Sequence, residues 1–439
     1  MQAEKQLASM KGFTIIWIGQ VFSLLGTSMT AFALTIWAWK LTGQATALAL
    51  VAFFNFVPFL LTTPIAGAIV DRSNRKKVMI LADLAAGLPT VGMLLLYVVG
   101  NLQIWHVYIA TAFAGTFQAF HFPAYSAAVT MMIPKKQYGR ASGMLATAEF
   151  ASGIFAPVVT ALMLGIVDLT GIMTIDILTF SFSTIMLLLV HIPQPSVSES
   201  TNKVIGSIWK QSFFGFRYIY GRPSLLGLQL VLFSSNLLSS FGTTLVSPMI
   251  LSRTGNDTLL LGSVMSNGGI GGLAGSLVLS VWGGPKRKIH GVLLGNIFMN
   301  LLGWFLVGLG QNWYIWALAA FLGFFFLPIL NGSNQAIWQA KVSPEVQGRV
   351  FAARLFIAQM GMPLGMLIAG PLADCIFEPS MMPQGSLAPI FGGLIGTGPG
   401  SGMSLMLVVA GFIGVIAGLG AYGFRALRNA EDILPDFTA

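Results

Sequence analysis

The feature that most constrains this chain is a succession of long apolar stretches, separated by short charged segments, from near the first residue to near the last. A bilayer core of roughly 30 Å asks for about 20 such residues per helix. Twelve stretches qualify. The first six are Phe13–Trp39, Thr46–Val70, Val78–Val99, Ile104–Ile133, Ala141–Val167 and Gly171–Val190. The second six are Ser224–Leu251, Thr258–Trp282, His290–Leu309, Trp313–Trp338, Val350–Phe377 and Gly402–Phe424. Phe13–Trp39 is too long for a signal-peptide core and has no small-residue cleavage site, so it reads as a retained helix.

Composition agrees with lipid as the solvent. Hydrophobic residues make up 55% of the chain and charged residues 8%, against roughly 25% charged in a soluble domain. A net charge of +9 suggests nucleic acid only if the basic residues form one patch. They do not: they fall in short clusters between the apolar stretches. With the N-terminus in the cytoplasm, all of the 23 basic residues except Lys40 and Arg253 lie in inner segments. This is the positive-inside asymmetry, and one span more or fewer breaks it. The expected fold is therefore an all-α polytopic membrane protein of about twelve transmembrane helices. Both termini are expected in the cytoplasm, and the location is a cell inner membrane or plasma membrane. Cys375 is the single cysteine, which excludes an intrachain disulfide.

The chain also repeats itself. Ile104-Trp105 opens the fourth span and Ile315-Trp316 the tenth; Arg75-Lys76-Lys77 follows the second and Lys286-Arg287-Lys288 the eighth, at the same offset. Pro134–Arg140 is echoed by Pro344–Arg349. Two pseudo-symmetric six-helix bundles are expected, residues 1–190 and 224–439. Between them, residues 191–223 form a linker with an amphipathic stretch at Ile208–Tyr220. Duplicated halves suit alternating access around a midplane site.

Other function classes find little support. No lysine follows a glycine, so a Walker A loop is absent and ATP is not expected to drive the protein. The four histidines sit on separate elements without ligand spacing, and no metal, cofactor, nucleic acid or enzymatic chemistry is expected. Overlapping Gly-x-x-x-Gly pairs, Gly268–Gly272 and Gly271–Gly275, read as close helix packing.

Ionisable groups at membrane depth are costly and are functional candidates by default. Glu149 lies about eight residues into the fifth span on a face with Ser152, Gly153 and Ala156, so it is expected to face protein or water and is the candidate for proton coupling. Asp83 is expected to pair with Arg75, Lys76 or another inner base. Asp176 and Asp374 are expected to be structural. Gln118, His121 and Tyr125 share a face of the fourth span. Gln20, Gln118, His121, Asn236, Asn331 and Asn334 are the candidates for a substrate cavity, accompanied by many aromatics, which suits a bulky lipophile.

The loop after the second span, Gly67-Ala-Ile-Val-Asp71-Arg72-Ser-Asn74-Arg75-Lys76, resembles the signature loop of the major facilitator superfamily. It departs from that pattern at Asn74, where glycine is usual, and asparagine is expected to tolerate the same left-handed turn. In the second half Trp282 replaces the acid. The resemblance implies a conformational latch of Gly67, Asp71, Arg72, Arg75 and Lys76, with Arg354 or the start of the eleventh span as partner. Gly19–Gly26, Pro123–Tyr125, Ile175–Phe180, Gly215–Tyr218, Gly370–Asp374, Phe377–Pro379 and Gly396–Gly400 resemble the macrolide-efflux type of bacterial drug exporters. That resemblance implies export; with Glu149 as the proton-coupling candidate and the aromatic cavity, the expectation is a monomeric, proton-coupled exporter of a small lipophile. Glu149 favours a neutral or cationic one. The alternatives are export of a siderophore or another metabolite, uniport and import.

Overall fold

The computed structural model describes residues 10–134, 137–192 and 208–433. Every element among them is helical. The chain divides into two compact units, Met1–Gly43 with Leu50–Val197, and Gln44–Ala49 with Ser198–Ala439.

The first unit is built from α1 (Met10–Thr42), α2 (Ala45–Arg72) from Leu50 onward, α3 (Arg75–Val98), α4 (Ile104–Met132) and α5 (Tyr138–Leu189). The 52 residues of α5 would run roughly 78 Å at 1.5 Å per residue, far beyond one bilayer. Its backbone leaves the helical region at Asp168, where φ is 52° and ψ −173°. An L-residue adopts that conformation at a cost of about 1–3 kcal/mol. The tract is therefore two crossings joined by a one-residue reversal. Among the described residues ten stretches are long and apolar enough to cross a membrane. One of them, Gly143–Leu189, contains this reversal, and α4 adds 29 residues of mostly apolar sequence. The twelve expected crossings are thereby accounted for, and this is a multi-pass membrane protein.

Within the first unit, α1 lies along α5, and α3 packs on α4 and α5. Glycine permits the first of these approaches: a Cβ at Gly19 would stand 3.0 Å from the Cα of Ser183, and one at Gly26 would overlap the Thr179 hydroxyl. The core falls into two apolar layers. One, at the end carrying the basic loops, gathers Phe13, Ile16, Met79, Met132 and Leu187. The other gathers Met29, Leu34, Met93, Val107 and Ile172. On each helix the residues between these layers include polar ones.

The second unit comprises α6 (Ile208–Tyr220), α7 (Pro223–Arg253), α8 (Thr258–Trp282) and α9 (Lys288–Phe298). A π-helical turn, Met299–Phe305, carries α9 into α10 (Leu306–Leu309). Then come α11 (Trp313–Lys341), α12 (Pro344–Gln359) and α13 (Gly361–Leu372), whose second π turn, Ala373–Phe377, leads into α14 (Glu378–Met381). The short α15 (Ala388–Ile395) precedes α16 (Ser401–Gly423), α17 (Arg425–Arg428) and α18 (Ala430–Ile433). As the glycine spacing predicts, Gly271 and Gly275 bring α8 against the backbone of α11 at Phe321 and Phe325. The amphipathic α6 rests on α12, with Gly215 against the Arg349 carbonyl and Arg349 over the ring of Phe214.

Several of the family-like segments prove to be polar ties in this unit. Glu378 accepts hydrogen bonds from the amides of Gly400 and Met403, at 3.0 and 2.7 Å, and so caps α16. Asp374 accepts from the amides of Ala45 and Thr46, at 2.9 and 2.8 Å, and from the Thr46 hydroxyl at 2.5 Å. It thereby caps the first turn of α2, which belongs to this unit. Removing such a cap costs about 0.5–2 kcal/mol. Asp374→Ala is expected to lower the thermal midpoint of the purified protein, and Asp374→Asn, which keeps an acceptor, to lower it less. At the other end, Glu431 accepts from the amides of Lys288 and Ile289, and Asp432 pairs with Arg287. Acids of α18 thus tie down the basic loop that follows α8.

Candidate functional site

Between the two apolar layers of the first unit lies a cavity of about 180 Å³. Gln20, Ser23 and Thr27 reach it from α1, Asp83 and Thr90 from α3, Gln118 and His121 from α4, and Asp176 from α5. Asp83 stands eight residues beyond Arg75, or roughly 12 Å along the helix. Its carboxylate Oδ1 lies 3.1 Å from His121 Nε2, at ion-pair distance though not aligned as a hydrogen bond. Gln20 Nε2 donates to the other oxygen at 3.2 Å and to the Ser183 hydroxyl at 3.1 Å. The Asp83 and His121 side chains are 11% and 24% exposed and both line the cavity, while His121 Nε2 itself is buried within the pair.

Asp176 is held differently. It is 4% exposed and accepts from the hydroxyls of Thr27 and Thr90, at 3.1 and 3.3 Å. Two carboxyls thus share one small cavity, one beside a titratable imidazole and one among hydroxyls.

This arrangement corrects several expectations. Asp83 pairs with His121, not with the basic loop. Lys76 donates instead to the carbonyls of Leu188 and Val190, both at 2.8 Å. It satisfies the open C-terminal end of α5, where carbonyls lack helical partners. Arg75 reaches the sulfur of Met131. Asn74 is no left-handed turn: with φ −65° and ψ 109° it is the N-cap of α3, its side chain accepting from the Lys77 amide. An acceptor is what that position needs. Glu149 is exposed on its unit and stands outside the cavity. Its neighbour Ser152 is buried, donating to the Leu24 carbonyl. For Gly67, Asp71 and Arg72 the backbone of α2 is described, and the side chains lie outside the described residues.

The second unit holds two further cavities, of about 270 and 400 Å³. Asn236 lines both, and Asn331, Asn334 and Arg354 line the larger. Asn334 is committed to packing: it is 1% exposed, and its oxygen accepts from the indole of Trp338 at 3.1 Å. Asn236 donates to the Ala358 carbonyl at 2.9 Å. Arg354 Nη1 donates to Gln335 at 2.9 Å. The six polar residues singled out from the sequence therefore divide evenly, Gln20, Gln118 and His121 lining the cavity of one unit and Asn236, Asn331 and Asn334 that of the other.

The Asp83–His121 pair was recognisable in principle. Both are ionisable groups at membrane depth on consecutive spans, and consecutive spans joined by a short loop are neighbours. The basic loop one to two turns from Asp83 was the competing partner.

A family profile described as the Major Facilitator Superfamily matches residues 16–366. Macrolide efflux protein A of Streptococcus pyogenes is 27% identical over 369 residues, 83% of this chain and 90% of that protein. The multidrug efflux pump Tap of Mycolicibacterium fortuitum is 27% identical over 360 residues, 80% of this chain and 86% of Tap. Among solved structures, a bacterial homolog of the human lysosomal transporter Spinster matches 98% of this chain and 100% of its own, with a TM-score of 0.71 at 14% identity. The nucleoside transporter NupG matches with a TM-score of 0.67 at 13% identity, over 92% of this chain and 99% of its own. The profile spans most of the twelve crossings, and the fold agrees with it: this chain belongs to the Major Facilitator Superfamily.

Proposed function

We propose that this protein is a proton-coupled secondary exporter of a lipophilic small molecule. In this reading it works as a monomer by alternating access, in a cell membrane with both termini on the cytoplasmic side. The observation that carries the proposal is the Asp83–His121 pair, set in a polar cavity between two apolar layers. Histidine is the side chain whose ordinary titration falls near neutral pH, and a carboxyl beside it is the simplest acceptor for a proton taken up in one state and released in another. Curated relatives named as macrolide and multidrug efflux pumps support the outward direction.

The role expected of Glu149 passes in this reading to the pair. The preference for a neutral or cationic substrate rests on Glu149 and on the scarcity of basic residues in the spans, and it is a separate question from the proton site. The test is uptake of a panel of labelled lipophiles into inverted membrane vesicles, with and without an imposed proton gradient. Accumulation is expected only with the gradient, to be abolished by a protonophore and retained in Glu149→Gln. Gradient-independent equilibration alone would overturn the coupling, and a Glu149→Gln variant without accumulation would return the proton site to that residue.

A further inference from the structure

The two cavities of the second unit are adjacent. Both run along α7 and α11, and they share Asn236, Ser239 and Leu327 as common walls. Their chemistry differs sharply. The 270 Å³ chamber is walled by Val246, Met265, Met299, Trp304 and Phe324, with a few α7 hydroxyls. Its wall includes the π-helical turn of Met299–Phe305, and interruptions of this kind in α-helices are frequent at functional sites. Trp304 sits at the junction, its indole NH 3.4 Å from the Ser239 hydroxyl.

The 400 Å³ chamber is polar, and its one charge is Arg354. The guanidinium donates to the neutral amide of Gln335 and lies 5.2 and 5.6 Å from the ring centroids of Trp338 and Phe351. Among the described residues no carboxylate stands within ion-pair distance of it. Amide and rings orient the guanidinium without neutralising it. An arginine at membrane depth is costly and is retained where something pairs with it. The planar fork of arginine is suited to an oxyanion. Asn331, exposed beside it, offers a second donor.

We propose that the adjacent chambers form one two-part site for a lipophilic monoanion: the apolar body fills the chamber beside Trp304 and Phe324, and the oxyanion meets Arg354. The inference rests on the reading of the protein as a transporter of lipophiles and names the charge of the ligand.

Three probes with one aromatic body separate the possibilities: 1-naphthaleneacetate, 1-naphthaleneacetamide and 1-naphthalenemethylamine. Equilibrium binding of each to the purified full-length protein in lipid nanodiscs needs no gradient, so it succeeds or fails independently of proton coupling. The acetate is expected to bind about tenfold or more tightly than the amide, the increment of a charge-assisted hydrogen bond, and the amine weakest. Arg354→Gln is expected to erase the preference for acetate over amide, and Arg354→Lys to keep part of it. Ala320→Phe, which fills the apolar chamber from α11, is expected to weaken acetate and amide alike. The ranking in the wild type stands even if a variant misfolds. Tightest binding of the amine, equal binding of acetate and amide, or no binding of any probe up to millimolar concentration would each overturn the proposal.

Discussion

Replacing Asp83 with asparagine is expected to abolish gradient-driven accumulation while leaving exchange of labelled for unlabelled substrate intact. One proton moved per cycle supplies about 2.3 kcal/mol for each 100 mV of driving force. That is a concentration ratio of roughly fortyfold at 1.4 kcal/mol per decade. A carrier without its proton site equilibrates its substrate, and the ratio falls to one. The substitution is well suited to the question because it is nearly isosteric. It leaves Gln20 beside an amide oxygen in place of a carboxylate, and it leaves His121 free to be neutral. The reverse change, His121→Ala, leaves a carboxylate without its ion-pair partner, so loss of folding and loss of coupling would be entangled. The measurement is paired uptake and counterflow in proteoliposomes. Asp83→Asn with undiminished accumulation would remove the pair from the mechanism, and loss of counterflow as well would make Asp83 structural.

The second large effect is steric. Gly26→Leu is expected to remove most of the folded protein. At this position even a methyl group would overlap the Thr179 hydroxyl and stand 3.1 Å from the Cα of Asp176. Both partners belong to α5, where Asp176 is already fixed by Thr27 and Thr90. Overpacking of this kind costs about 1–3 kcal/mol where neighbours can give, and here one neighbour is backbone. Gly92→Leu provides the comparison, since a Cβ at Gly92 meets nothing within 4 Å. Fluorescence-detected size exclusion after heating reads both variants. Equal thermal midpoints would show that α1 and α5 can separate at Gly26 without cost.

Much of this architecture was legible because a bilayer imposes length as well as polarity. The apolar pattern puts the boundary between the fifth and sixth spans between Val167 and Gly171, and the backbone reverses at Asp168. The amphipathic segment Ile208–Tyr220 is a helix over those residues. Side-chain partnerships were harder to read. A membrane helix is apolar on nearly every face, so periodicity no longer says which side of Glu149 or Asp83 meets protein. Proximity in sequence then favoured Arg75 and Lys76 for Asp83, whereas α4 brought His121 across. Asn74 misled for a different reason: its usual occupant suggested a left-handed turn, but the local need was a helix cap. The caps made by Asp374, Glu378 and Glu431 cross long distances in sequence, and no local pattern announces them.

Under the proposed proton coupling, the layered core of the first unit takes on an electrical meaning. Met79, Met132 and Leu187 on one side of the Asp83–His121 pair, and Met93, Val107 and Ile172 on the other, are insulation. A proton relay open to both aqueous phases at once is a wire, and it would discharge the membrane whether or not cargo moved. Thioether and aliphatic side chains offer no sites for proton hopping and little room for water. They raise the cost of a stray ion to several kcal/mol, while allowing helices to shift against one another, methionine most readily. Leakage, more than affinity, limits how steep a gradient such a machine can use.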